Sequence, residues 1–150
     1  MKTINKPGDN LGGLTKIWAI PNDVISESGM NLSISDDSNL YEIYCTPESM
    51  EFEEPKEQSD AGIHYNTQIS GFIPGTSAEK QEAIEYIEYR KWVIVFRDGN
   101  GNYKVAGSRF TPLQMENNFG TGKDTVGKSG YSFSFTGKTL ERARFINNPF

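Results

Sequence analysis

The chain has 150 residues, 35% of them hydrophobic and 12% aromatic, with 15 Gly, 7 Pro and a formal net charge of −5. That length fits one domain able to bury a sizeable core. The lone Cys45 excludes a disulfide framework and a multi-cysteine metal site, and no apolar run approaches the roughly 20 residues of a membrane span.

The charge is uneven along the chain. Residues 1–89 hold 5 Lys+Arg against 16 Asp+Glu, a net −11, and residues 90–150 hold 10 against 4, a net +6. Such asymmetry can mark nucleic-acid contact. The basic half has no tight Lys/Arg cluster, so the split reads better as complementary surfaces between stacked copies.

In chain order, residues 1–13 read as a flexible arm, broken by Pro7-Gly8 and Gly12-Gly13. The arm has charge but no apolar h-region, so no secretory signal is expected. A single β-rich domain is expected over 14–150. "LTKIWAI" (14–20) is a strand closed by Pro21-Asn22-Asp23. "MNLSIS" (30–35) alternates at strand period, "SDDSN" turns, and "LYEIYC" (40–45) is another strand. The stretch 46–62 holds six acids and one lysine, so it predicts a solvated acidic loop at 48–60 or a frayed hairpin. With nothing apolar beside them to raise a pKa, its carboxylates are not read as a catalytic pair. "GIHYNTQISGFIP" (62–74) is a long strand with Ile63, Tyr65, Thr67, Ile69 and Ile73 on one side and His64 on the polar side.

One helix is expected over about 77–89, with Thr76 as N-cap, Glu79 completing a capping box, and Ala83, Ile84 and Ile87 as the apolar stripe. "WVIVFRD" (92–98) is a strand buried on both faces, with Trp92, Ile94 and Phe96 opposite Val93 and Val95. "DGNGN" turns it into "YKVAG" (103–107). "FTPLQM" (110–115) follows, where Pro112 suggests an edge or bulge. "YSFSFTG" (131–137) presents one aromatic face, and "ARFIN" (143–147) ends the series. About nine short strands and one flanking helix predict a mainly β fold, an antiparallel sandwich or barrel.

"GKDTVGKS" (122–129) fits the phosphate-loop template letter for letter. The template works when a buried strand leads in and a helix starts at once, aiming amides and the helix dipole at phosphate. Here "YSFSFTG" follows, a strand, so Lys128 and Ser129 are expected in a strand connector with no nucleotide. Asp98, Asn100 and Asn102 have calcium-loop spacing. Tyr103 stands where that loop needs Gly, and Arg109 where it needs Glu, so hairpin chemistry is the better reading. A Cys45–His64 pair lacks any local motif. "YRKWVIVFR" mixes cations and rings, as single-strand nucleic-acid binders do, yet strand-core packing explains it better. No catalytic, cofactor-binding or metal residue is expected, and no enzyme.

At "LGGLTKIWAIPNDV" (11–24), "FRDGNGNYKVAG" (96–107) and "GYSFSFTGKTLERARFI" (130–146) the chain resembles virion structural proteins of tailed bacteriophages and prophages, chiefly tail-tube-like proteins. The resemblance implies a flexible arm, a β-sandwich, one flanking helix, and a late strand ending in a turn at Phe135-Thr136-Gly137. It also implies a non-enzymatic tail-tube or head–tail connector subunit, assembled in the bacterial cytoplasm and resident in the virion. Its partners would be copies of itself and other virion proteins, with phage DNA only as passing cargo. The alternative is a β-sandwich binding module for carbohydrate or protein, using exposed aromatics such as Tyr41, Tyr44 or Trp18.

Overall fold

The computed structural model describes residues 1–4, 11–123 and 127–150. Its described residues form twelve strands: β1 Leu14–Pro21, β2 Ile25–Ser28, β3 Asn31–Ile34, β4 Tyr41–Ile43, β5 Glu51–Glu53, β6 Lys56–Ser59, β7 Gly62–Pro74, β8 Lys91–Asp98, β9 Tyr103–Ala106, β10 Leu113–Gly120, β11 Gly130–Thr139 and β12 Arg144–Ile146. One α-helix, α1 Ala78–Glu88, joins β7 to β8.

Ten strands share one antiparallel sheet that runs β12-β9-β8-β10-β11-β7-β5. β1 lies along the other edge of β8 and carries β4, while β6 extends β5 along β7. The sheet folds over on itself. Phe52 of β5 and Phe96 of β8 stand four strands apart in that order, roughly 19 Å in a flat sheet. Their ring centroids are 4.6 Å apart. Thr46 N–H also donates to Phe72 O across the fold (2.9 Å). β4, β12 and the β5–β6 pair each keep one unpaired edge, so the result is sandwich-like and not a closed barrel.

β8 forms the partition of the molecule. Trp92, Ile94 and Phe96 face the main core with Ile17, Ile69, Leu113 and Phe135, while Val93 and Val95 face a second cluster with Trp18, Ile20 and Val105. All five β8 side chains are at most 1% exposed. This is the expected two-sided burial. The second cluster is covered by the β2–β3 hairpin through Ile25 and Leu32. β2 falls outside the expected strands: "ISES" has one apolar face residue, and its pairing depends on the tight turn at Gly29, φ 60°.

The acidic segment is a correction. β5 and β6 pair in tandem along one edge of β7, and Asn66 N–H donates to Pro55 O at the break between them (2.9 Å). The segment is held inward by buried Met50 and by Phe52, apolar side chains that the surrounding charge obscured. Its acids and Pro55 suit an edge strand, where charge and a missing N–H discourage further pairing.

The helix is found within one residue of its expected bounds, but its N-cap is Ser77. Ser77 Oγ accepts from Lys80 N–H (3.1 Å), and Thr76 Oγ1 instead bonds Tyr131 OH (3.1 Å). Ile84 and Ile87 are buried, and Trp92 Nε1 donates to Ile87 O (2.8 Å), closing the helix end. Phe135-Thr136-Gly137 is not a turn. β11 runs through it to Thr139, paired with β7 down to Tyr65. Gly137 is required by close approach: a Cβ there would lie 2.8 Å from Leu113 Cδ2 and 2.9 Å from Pro112 O. β10 begins at Leu113, just after Pro112, and reaches Gly120, further than expected.

Candidate functional site

The phosphate-loop template falls between two strands of one hairpin. β10 and β11 pair antiparallel up to Gly120↔Gly130, so the flanks are strand and strand. Asp124, Thr125 and Val126 lie outside the described residues, and Lys128 and Ser129 are exposed. The backbone geometry that would converge amides on a phosphate is missing at the helical side, because β11 starts where a helix N-terminus would be needed.

The calcium-like spacing is spent on a hairpin. Asp98 Oδ1 accepts from the N–H groups of Asn100 and Asn102, each at 2.9 Å, and Gly101 supplies the positive φ of 86°. The carboxylate thereby satisfies the turn's own donors. Cys45 is buried, and burial pushes its thiol up to about 12, far from thiolate at neutral pH. His64 Nε2 meets Glu57 Oε2 at 3.1 Å across the β6–β7 hairpin, and Glu57 also accepts from Asn66 Nδ2. The histidine is thus engaged with the acidic edge strand. Among the described residues no group of three or more His, Cys, Asp or Glu is placed to hold a metal ion. No described helix is long and apolar enough to cross a membrane.

The carboxylates of the edge strand do influence one another. Glu51 is raised above the ordinary carboxylate range, first by a hydrogen bond with Glu53 and then by its negative charge. Both face water, so the pair lacks the enclosed, dry setting that general acid–base work uses. Glu54 points the other way. Its Oε2 accepts from Ala143 N–H (2.8 Å), and its Oε1 meets Arg142 Nη1 at 3.4 Å. Glu27 and Arg144 make a similar pair at 2.5 Å. The acidic and basic halves of the sequence therefore interleave, β1 on β8 and β7 on β11, and part of their opposite charge is matched inside the domain.

The aromatics proposed for a sugar site divide. Trp18 is buried, stacks on Tyr103 with centroids at 5.8 Å, and lies tilted against Phe150 at 4.6 Å. Tyr41 packs edge-on to Trp92. Their rings complete the two cores, which period-two alternation alone did not reveal. Tyr44 alone of the three is exposed. The strand "WVIVFR" is likewise core, leaving Arg90 stacked on Tyr86 at 4.1 Å.

Two surface features stand out among the described residues. A cleft of about 1020 Å³ opens between the start of β1 and residues 42–50, with Leu11, Leu14, Tyr44 and Met50 in its walls and Glu42 and Glu48 among its charges. The expected flexible arm reaches this wall. Residues 5–10 lie outside the described residues, but 11–13 are docked: Asn100 Oδ1 accepts from Leu11 N–H (3.0 Å), and Gly99 N–H donates to Gly13 O (3.1 Å). The other feature is a pair of bare apolar side chains, Phe110 before β10 and Leu140 after β11, 89% and 72% exposed. They flank one shallow depression with Gly107 and Thr111. No family model matches the chain, and no curated protein or solved structure is significantly similar to it.

Proposed function

We propose that this chain is a non-enzymatic virion structural protein of a tailed bacteriophage or prophage, a tail-tube or head–tail connector subunit that associates with its own copies into rings. The reading rests on the sequence resemblance, and the mainly β fold with one flanking helix is what that resemblance implies. The observation that carries self-association is the exposed Phe110–Leu140 pair. Phe110 and Leu140, 89% and 72% exposed, line one shallow depression, and exposed apolar surface gathered in one place supports the reading of an interaction surface. A subunit of this kind would be assembled in the bacterial cytoplasm and stay in the virion, with other virion proteins as neighbours.

A second reading has one observation in its favour. Tyr44 beside a roomy, largely apolar cleft suits a binding module for a carbohydrate or protein ligand. The two readings separate by size in solution. Sedimentation over a range of protein and salt concentration, with electron microscopy of the associated fraction, should give rings or short tubes. Salt should loosen the charged part of the association and spare the apolar part. A strict monomer at high concentration in low salt would overturn the structural-protein reading and leave the binding module.

A further inference from the structure

The turn between β8 and β9, "DGNGN", holds two glycines with different uses. Gly101 supplies the positive φ of the turn. Gly99 lies outside the left-handed region, so the backbone alone would accept a side chain there. What excludes one is the segment just before β1. A Cβ on Gly99 would lie 2.9 Å from both Leu11 O and Gly12 O, and 3.0 Å from Leu11 Cβ. Residues 11–13 therefore lie over Gly99 as a strap. Two hydrogen bonds hold it: Leu11 N–H to Asn100 Oδ1 at 3.0 Å, and Gly99 N–H to Gly13 O at 3.1 Å. The strap has little else to hold it. Leu11, Gly12 and Gly13 are exposed, and among the described residues a Cβ on Gly12 or Gly13 would meet nothing within 4 Å. The next residue is different. Leu14 packs against the main core and pairs with Asp98.

Leu11, Gly12, Gly13 and Gly99 all line the cleft, opposite a stretch that contains the buried Cys45 and Met50. We propose that residues 11–13 are a hinged strap, latched on Gly99 and Asn100, whose release opens the cleft toward Cys45 and Met50. Leu14 is the fixed end, Gly12-Gly13 the hinge, and the β8–β9 turn the catch. Glycine pairs turn with little steric resistance. A segment with few buried apolar contacts and exposed hydrogen bonds opens at low free energy while the core stays folded. The catch is specific. It needs a missing side chain at position 99 and an acceptor at position 100, and neither is required by the hairpin itself. A strap of this kind would serve a cleft in an assembling subunit and in a binding module alike, so it goes beyond both functional readings.

The test uses the full chain, whose one cysteine lines the cleft and is 5% exposed. The rate at which a maleimide labels Cys45 reports the opening. Gly99→Ala should raise that rate about tenfold, because the added Cβ displaces the strap and both of its hydrogen bonds. Asn100→Ala should raise it a few-fold, the effect of losing one hydrogen bond. Asn100→Asp keeps the acceptor and should label like the parent. Low urea separates strap release from loss of the whole fold. Strap release exposes little surface, so its labelling should stay flat in urea, whereas labelling through global unfolding climbs with it. Hydrogen exchange at the position-99 amide should quicken in both alanine variants, while the amides of β8 stay protected. Faster exchange there with unchanged Cys45 labelling would mean that the strap moves without controlling the cleft, and would overturn the proposal. Labelling of the alanine variants that equals the parent's, or that rises with urea in step with unfolding, would overturn it too. None of these readouts depends on association.

Discussion

β8 and the β5–β6 edge are both strands of the same sheet, and they are held there by opposite means. β8 is fixed by its side chains: Trp92 to Phe96 are enclosed on both faces by two separate clusters. β5 and β6 are fixed mainly by their backbone, with Phe52 as their one inward side chain. None of their side chains is fully buried, yet seven of their residues pair with β7 in register, from Glu51↔Ser70 to Ser59↔Gly62. A strand buried on both faces announces itself in its own letters. An edge strand borrows its reason to exist from the open hydrogen bonds of its neighbour, here β7, whose other edge is taken by β11.

The difference should appear first in stability. Phe133→Ala, in the same core as Trp92, should cost about 3–5 kcal/mol, measured by denaturant unfolding. The ring lies over Gly71, its partner across the β7–β11 pair, which has no side chain of its own to fill the gap. A Cβ on Gly71 would sit 3.1 Å from both the Phe133 ring and Cys45 Sγ. Gly71→Ala should therefore be harmful alone and partly restorative beside Phe133→Ala. Additive losses would show that the ring does not depend on the glycine.

On the edge, Glu54→Ala should cost about 1–2 kcal/mol, because it removes the acceptor of Ala143 N–H and the partner of Arg142. A cost as large as that of Phe133→Ala would erase the contrast between edge and core. Ser77→Ala should cost about 1 kcal/mol through the lost helix cap, and Thr76→Ala should leave the helix intact, since its hydroxyl serves Tyr131. Helix content by circular dichroism, followed through thermal melting, separates the two.

The same physics explains what the letters could reveal. β8 was legible because an unbroken apolar run means burial on both faces, and the aromatic face of β11 and the helix stripe because their periodicity is their burial. The cap was misplaced by one residue because Thr76 and Ser77 both carry a capping hydroxyl, and only the backbone decides which is extended; Ser77 has φ −155°. The turn expected at Gly137 failed because glycine serves close packing as well as turning. β5 and β6 were hidden by six acids around Met50 and Phe52. The cleft and the exposed Phe110–Leu140 pair were out of reach, since both join residues distant in sequence, as Leu11 with Tyr44 and Phe110 with Leu140.

The smallest effect is expected at Lys128. If the "GKDTVGKS" stretch merely links β10 to β11, its lysine contacts nothing that the fold needs, and it is exposed. Lys128→Ala should then change stability by less than about 0.5 kcal/mol, as exposed substitutions away from special contacts do. It should also leave association untouched, because Lys128 lines neither the cleft nor the Phe110 depression. Calorimetric titration with ATP and GTP, each with magnesium, gives the decisive measurement. The expectation is no binding in either protein. Micromolar nucleotide affinity that vanishes in the variant would mean that eight letters had outweighed their strand-and-strand setting, and it would move the functional site from the cleft and the Phe110 depression to the tip of the β10–β11 hairpin.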